Sequence, residues 1–151
     1  MYHHVLVALD GTAPAARVLP WLRRLCGGAG TTIHLVTVTP PGRGTQVFGR
    51  AVAYAHQMEE QDRGAALARL RSTAAELRDE GYDVVVEART SADPATAVLA
   101  AAHDAAVDLI ALTTRGVRGP RAWWTRSVAA DVIRHSPVPV LVARRTGQRA
   151  A

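Results

Sequence analysis

The sequence predicts an α/β protein, an open doubly wound five-stranded parallel sheet with helices on both faces. Five short runs rich in Val, Leu and Ile alternate with segments in which apolar residues recur every three or four positions. The runs are almost uninterruptedly apolar, as is typical of parallel strands buried on both sides. The length of 151 residues suits one domain, predicted at 1–146 and followed by a short flexible tail at 147–151.

Five segments are predicted to be strands because each is short, apolar and bounded by turn-forming residues. In chain order they read "HHVLVALD", "TTIHLVTVT", "YDVVVEAR", "DLIALTT" and "VPVLVAR". Proline cannot donate a hydrogen bond to a ladder, so Pro139 places the fifth strand at an edge of the sheet. A Val- and Leu-rich edge invites a partner strand.

The first two helical segments are delimited by capping residues. The first is predicted to begin after a Thr12 cap, with Pro14 in its first turn. The second extends from about residue 51 to residue 80, with Gly64 as a candidate break and Gly81 as its C-terminal cap.

The last two helices have clear boundaries as well. Asp93 followed by Pro94 predicts the start of the third helix, a cap residue and then a proline at the first helical position. The fourth helix is predicted to end at Ser136 and Pro137, because the residue before a proline disfavours helical backbone.

The charge composition excludes several classes of protein. Net charge is +5, and all 18 basic residues are arginine, with no lysine in the chain. A Walker A loop, a response-regulator receiver and a Schiff-base enzyme each need a lysine. No Cys/His metal spacing and no nucleophile motif is present either, so the sequence predicts a protein that is not an enzyme.

Hydrophobic content of 48% with 21% charged residues indicates a soluble globular chain. No apolar run approaches the roughly 20 residues of a membrane span, and the N-terminal segment lacks the features of a signal peptide. Cys26 is the single cysteine, so an intrachain disulfide is excluded. We therefore expect a cytoplasmic protein.

The segment after the fourth strand, "TTRGVRGPRAWWTRSV", raises the main functional question. A glycine-bearing loop between a strand and a helix often holds a phosphate, and ligands of such sheets bind at the carboxyl ends of the strands. This segment also concentrates basic and aromatic side chains: Arg115, Arg118, Arg121, Arg126, Trp123 and Trp124.

The ordered set of segments "HVLVALDGT", "IHLVTVTP", "SADPATAVLAAAHDAAVDLIAL" and "SVAADVIRHSPVPVLVAR" resembles the universal stress protein family over nearly the whole chain. The resemblance implies the strand order 3-2-1-4-5 of the adenine-nucleotide alpha-hydrolase-like fold. It also implies a homodimer formed through the last strand, by Val138, Pro139, Val140, Leu141 and Val142.

Nucleotide-binding members of that family carry Gly-x2-Gly-x9-Gly-Ser/Thr after the fourth strand. On this sequence the four positions are Thr113, Gly116, Arg126 and Ser127, so two glycines are replaced. Glycine permits positive φ and close approach of backbone N–H groups to a phosphate. Arg126 therefore either blocks the phosphate position or binds the phosphate through its guanidinium fork.

Other parts of an ATP site are implied by the same resemblance. Asp10 matches the family acid near the ribose and adenine, and Val38 matches the residue whose backbone faces adenine. Arg115 and Arg118 are candidate phosphate contacts, and magnesium is expected only with bound ATP.

Structural roles remain open for these residues. Asp10 suits an Asx-type turn, and Ser127 suits a helix N-cap. Trp123 and Trp124 are interpreted first as packing residues, with a nucleotide lid or a dimer contact as the alternatives.

Three functions follow from the sequence. The favoured one is a non-enzymatic stress-response module that binds ATP weakly or not at all. The second is an ATP-binding switch that uses arginines in place of loop glycines, for which slow ATPase activity stays open. The third is an anion or single-stranded nucleic-acid binder; it is disfavoured because no nucleic-acid fold signature accompanies the charge.

Overall fold

The structure is a computed structural model that describes residues 1–9, 17–41, 50–114 and 126–144, with the backbone alone described at 50–56, 114, 126, 127 and 144. Strands and helices alternate along the chain. Their bounds are β1 (His4–Ala8), α1 (Leu19–Leu25), β2 (Thr32–Thr39), α2 (Arg50–Asp79), β3 (Asp83–Thr90), α3 (Pro94–Asp104), β4 (Leu109–Thr114), α4 (Arg126–His135) and β5 (Val140–Arg144).

The five strands form one parallel sheet in the order β3-β2-β1-β4-β5, which confirms the predicted fold class. The two buried clusters place α1 and α2 on one face of the sheet and α3 and α4 on the other, as expected for right-handed crossovers. β5 pairs with β4 alone and forms an edge, as Pro139 predicts.

The side chains of β1 supply the centre of the core on both faces. Val5 and Val7 belong to the buried cluster that includes α1 and α2, whereas Leu6 and Ala8 belong to the cluster that includes α3 and α4. Full burial of one such aliphatic side chain contributes about 1.5–3 kcal/mol. Two apolar layers, one on each face of a continuous sheet, therefore hold the fold together.

The amino ends of β1 and β4 are joined by a side chain. The Asp108 carboxylate accepts hydrogen bonds from the backbone N–H groups of His3 (2.9 Å) and His4 (3.1 Å). The Asp108 N–H in turn donates to the His4 carbonyl at 2.8 Å. These bonds satisfy backbone donors just before the ladder begins and hold the register of the two central strands.

Helix α1 begins later than the sequence analysis predicts. It starts at Leu19 after an N-cap position occupied by Val18, whose side chain makes no capping bond, and Pro20 lies in its first turn. A helix starting just after Thr12 would place Pro20 in its interior, where the ring clashes with the preceding turn and an N–H donor is lost. The Thr12 prediction for this helix is therefore wrong; Thr12 and Pro14 themselves lie outside the described residues.

Helix α2 is continuous over 30 residues, so Gly64 does not break it. At its end, Gly81 has φ +91°. The Gly81 N–H donates to the Arg78 carbonyl (2.9 Å) and the Tyr82 N–H donates to the Leu77 carbonyl (3.1 Å). This is the Schellman arrangement, in which a left-handed residue satisfies the last carbonyls of a helix, and it confirms the predicted cap.

The predicted cap of α3 is also confirmed. One carboxylate oxygen of Asp93 accepts from the N–H groups of Ala95 (3.1 Å) and Thr96 (3.3 Å), and the other accepts from the Thr96 hydroxyl (2.6 Å). The bonds from Thr96 lower the pKa of the Asp93 carboxyl, burial opposes them in part, and the bond from Ala95 adds a smaller lowering.

A pair of glycine substitutions in and after α2 is expected to change stability in opposite directions. Gly81→Ala forces an L side chain into positive φ and should lower the free energy of unfolding by about 1–2 kcal/mol. Gly64→Ala adds a methyl group in open space within the helix and should raise it by about 0.5–1 kcal/mol. Urea unfolding of the three proteins measures both effects. Unchanged stability in Gly81→Ala would contradict the cap, and a loss of stability in Gly64→Ala would contradict the open helix position.

The Asp93 cap is expected to make part of the stability dependent on pH. Because the folded-state pKa is lowered, the stabilisation is present above the unfolded-state pKa and is lost as pH falls below about 4. Asp93→Asn should therefore unfold with a shallower acid dependence than the unsubstituted chain in a pH series of urea titrations. Thr96→Val, which removes the hydroxyl donor, should show an intermediate dependence; parallel curves for all three proteins would contradict the assignment.

Candidate functional site

The carboxyl ends of β1 and β4 form the topological switch point of the sheet. β1 pairs with β2 on one side and β4 on the other, and the chain leaves the two strands toward opposite faces. The Leu9 N–H donates to the Val36 carbonyl at 2.8 Å, which extends the pairing of β1 one residue beyond Ala8. In open α/β sheets the crevice at this point is the place where ligands bind.

Thr113 lies at this edge, in β4 and opposite Ala143 of β5. Among the described residues, Ala106 is the one non-glycine residue with positive φ, so Thr113 has the ordinary backbone of a strand. The threonine therefore causes no backbone strain at the position of the first family glycine. What it adds is a branched, half-buried side chain at the edge where a ligand approaches.

Arg126 is the first residue of α4, and its helical backbone is accessible to any L-residue. Replacement of a glycine could cause backbone strain or obstruct the close approach of a phosphate. The helical backbone of Arg126 excludes strain, so obstruction is the consequence that remains. The first N–H groups of a helix lack intrahelical partners and carry a positive partial charge. The backbone of Arg126 thus stands where an anion would be bound.

Ser127 is the second residue of α4. The N-cap of a helix precedes its first helical residue, so Ser127 lies beyond the cap position and its interpretation as a helix cap is wrong. A hydroxyl in the first turn remains compatible with a bond to an anion at the helix end.

Val38 is 4% exposed, and its side chain belongs to the cluster that contains Ala8 and Val36. It pairs with Arg89 near the carboxyl end of β2. A ligand at this edge can therefore contact the backbone of Val38 but not its side chain, in keeping with the backbone contact that the resemblance implies.

Hydroxyl groups line the adjoining edge of β2 and β3. The Thr39 hydroxyl lies 3.3 Å from the Thr90 hydroxyl, and the Ser91 N–H donates to the Thr39 carbonyl at 3.0 Å. This edge provides neutral hydrogen-bonding groups beside the switch point, a chemistry suited to hydroxyl or amide groups of a ligand.

Arg89 is occupied by two carboxylates. Its Nε donates to Glu87 at 2.6 Å and its Nη2 donates to Asp104 at 2.7 Å. Burial lowers the pKa of the Arg89 guanidinium, but the hydrogen bonds to Glu87 and Asp104 together outweigh burial and raise it. Its positive charge is thus compensated by two carboxylates of this chain.

Two further reactive groups lie away from the carboxyl edge. Burial and the neighbouring His4 lower the pKa of His34, with Glu87 opposing them, so the imidazole is neutral at pH 7. Burial raises the pKa of the Cys26 thiol, which is 3% exposed. Neither group has the exposure or charge environment of a catalytic residue.

Within residues 1–9, 17–41, 50–114 and 126–144, no three His, Cys, Asp or Glu side chains are grouped in a way that would hold a metal ion. The helices in this part of the chain also include none with the length and apolar character needed to cross a membrane.

Of the residues named from the sequence, the structure brings the backbones of Val38, Thr113, Arg126 and Ser127 to the carboxyl side of the sheet. The remaining candidates fall outside the described residues: Asp10, Arg115, Gly116, Arg118, Trp123 and Trp124.

Sequence reasoning missed two features of this region. The pairing of Arg89 with Glu87 has a local signal, since residues two apart on a strand share a face. The partner Asp104 lies 15 residues away on α3, and the Thr39–Thr90 contact joins separate strands. Sequence periodicity relates residues only a few positions apart, so it predicts neither the Arg89–Asp104 ion pair nor the Thr39–Thr90 contact.

Known structures share this architecture. The hypothetical protein MJ0577 is 20% identical, with a TM-score of 0.80, covering 98% of this chain and 99% of its own. A universal stress protein in complex with cAMP is 22% identical, with a TM-score of 0.63 and coverages of 95% and 97%. The universal stress protein from Archaeoglobus fulgidus in complex with dAMP is 22% identical, with a TM-score of 0.55 and coverages of 93% and 97%. At these identities the likeness establishes the fold.

Membership of a family is established by the sequence. No curated protein matches the chain significantly. The model of the universal stress protein family matches residues 1–144. The match extends from β1 to the end of β5 and includes both sides of the switch point. The chain therefore belongs to the universal stress protein family.

Proposed function

We propose that this chain is a non-enzymatic, homodimeric stress-response module whose nucleotide site is weakened at the phosphate position. The observation that carries the proposal is the start of α4 at Arg126, where nucleotide-binding relatives have a glycine. A phosphate bound between β4 and α4 needs the first N–H groups of the helix. A long side chain attached to the first helical residue competes with it for that space.

Thr113 adds to this effect at the opposite end of the same connection. Its Cβ branches at the end of β4, where a glycine would leave the backbone open to close approach. Adenine and ribose contacts are less affected, because the backbone of Val38 and the hydroxyls of Thr39 and Thr90 remain at the edge. The expected result is a site that retains nucleoside contacts and loses affinity for a polyphosphate.

A second function is favoured by the ligands of similar proteins. One universal stress protein of this fold is in complex with cAMP, and another is in complex with dAMP. In this alternative the Arg126 fork, together with Arg115 and Arg118, binds the phosphates in place of backbone donors. The chain would then be an ATP-binding switch, with magnesium accompanying the ATP.

The chemistry near the edge supports a module without catalysis. Asp93 is the first acid after the end of β3, and its two oxygens are engaged in capping α3. Arg89 is engaged by Glu87 and Asp104. General acid–base catalysis needs a titratable group free to exchange a proton with the ligand, and these groups do not offer one.

The dimer is proposed to form through β5. The Pro139 carbonyl accepts the Ile110 N–H at 3.0 Å. Bonding alternates along a parallel ladder, so Val140 and Val142 direct their N–H and C=O groups to the free edge. A second copy can pair there and satisfy these groups, with Val138 and Leu141 beside them.

Calorimetric titration with ATP and magnesium is expected to show no low-micromolar binding by the unsubstituted chain. Arg126→Gly removes the side chain at the helix start and should strengthen binding by about tenfold or more, equivalent to 1.4 kcal/mol. Arg134→Ala, in the last turn of the same helix, is the matched control and should change nothing.

Two outcomes decide between the functions. Low-micromolar binding that Gly116→Val abolishes would contradict the weakened site. Binding that is lost in Arg126→Ala, yet kept in Arg126→Gly, would establish the arginine-dependent switch instead.

Sedimentation analysis is expected to show a dimer that Val142→Pro converts to a monomer. The substitution removes an outward N–H donor and leaves the β4–β5 ladder intact, so the monomer should remain folded by circular dichroism. Val142→Thr keeps the donor and the branched side chain and should remain dimeric. A dimer that survives Val142→Pro would assign the interface to another surface.

A further inference from the structure

The outer face of α1 carries exposed apolar side chains. Trp21 is 48% exposed and Leu25 is 37% exposed, and the two lie one helical turn apart on the same face. The guanidinium of Arg24 is 5.3 Å from the centroid of the Trp21 ring, within the range of a cation–π contact. We call Trp21, Arg24 and Leu25 the α1 patch.

Core packing does not account for the α1 patch. The inner face of this helix, formed by Val18, Leu19, Leu22 and Cys26, is already buried against the sheet. Trp21 and Leu25 lie outside this buried face, on a part of the helix surface where polar residues are usual. A half-exposed tryptophan in this position points to an external contact.

The apolar surface continues beyond the end of the helix. Met1 is 87% exposed, and the end of its side chain lies beside Gly27. Three of the six exposed large hydrophobic residues among the described ones, Met1, Trp21 and Leu25, therefore lie on or next to α1.

The charge around the α1 patch is positive. Arg24 belongs to the patch, and Arg17 is exposed just before the helix. Arg23 donates from Nε to Glu80 at 2.6 Å, which links α1 to the end of α2. The helix itself contains no acid. The complementary surface of a partner is therefore acidic, with an apolar group that fits beside the tryptophan.

We propose that the α1 patch docks an acidic segment of a protein partner that inserts an aliphatic or aromatic side chain against Trp21 and Leu25. Tryptophan, arginine and methionine are the residue types enriched at protein interfaces, and tryptophan and arginine dominate their binding energy. Carboxylates flanking the inserted side chain pair with Arg24 and Arg17.

A membrane surface and a nucleic acid fit the α1 patch less well. An interfacial helix buries a whole apolar face about 5–10 Å deep, whereas α1 has seven residues and its inner face is held in the core. Base stacking on Trp21 would compete with Arg24, which already lies over one face of the ring. Leu25 and Met1 offer no hydrogen bonds to a base.

The test is selection of a random peptide library displayed on phage against the immobilised full-length chain. Selected peptides are expected to carry Asp or Glu around a Leu, Phe or Trp. The most enriched peptide, synthesised with a fluorophore, should lose about 30-fold or more in affinity for Trp21→Ala, as for an interface hot spot. Arg24→Glu should weaken binding as well.

Matched controls lie on the opposite face of the sheet. Ile133→Ala removes another exposed apolar side chain, and Arg134→Glu reverses another exposed charge; neither should change the affinity. Circular dichroism confirms that each variant is folded. The proposal is overturned if no acidic peptide is enriched, or if enriched peptides bind Trp21→Ala equally well. It is also overturned if the variant instead loses binding to phosphatidylserine vesicles or to a single-stranded oligonucleotide.

Discussion

Burial of β1 along both edges and on both faces is the constraint on which the rest of the structure depends. Its residues from Val5 to Ala8 are at most 2% exposed, between β2 and β4 and between two helical layers. A strand buried in this way must be apolar at every position, and every neighbouring element must cover it. The chain consequently leaves β1 and β4 toward opposite faces, and this separation opens the crevice at their carboxyl ends.

The nucleotide affinity proposed for that crevice depends on the space and the charge available to a ligand more than on backbone strain. Thr113 has strand geometry and Arg126 has helical geometry, so both replacements of family glycines are conformationally accommodated. The proposed effect of both replacements on a nucleotide is therefore competition for the backbone that a phosphate needs. Arg89, which is also basic and near the edge, is neutralised by Glu87 and Asp104, so the local charge is lower than the arginine content implies.

The two proposed contact surfaces belong to different parts of the fold. The β5 edge presents backbone groups of Val140 and Val142, whereas the α1 patch presents the side chains of Trp21, Arg24 and Leu25. Strand pairing is satisfied by main-chain hydrogen bonds and tolerates many side chains. Docking on α1 depends on a particular aromatic and a particular charge. Self-association and partner binding can therefore change independently.

The sequence by itself determined the elements and most of their boundaries. Asp93 with Pro94 starts α3, Gly81 ends α2 and Pro139 marks an edge strand, because caps, positive φ and missing N–H donors act within a few residues. Resemblance to a family supplied the strand order and the positions of Thr113 and Arg126. Tertiary structure decided what depends on distant residues. Pro20 sets the start of α1 at Leu19, Asp104 holds Arg89, and the core takes one face of α1 while Trp21 is left on the other. Periodicity marks an apolar stripe, but packing against the sheet determines which apolar residues remain outside it.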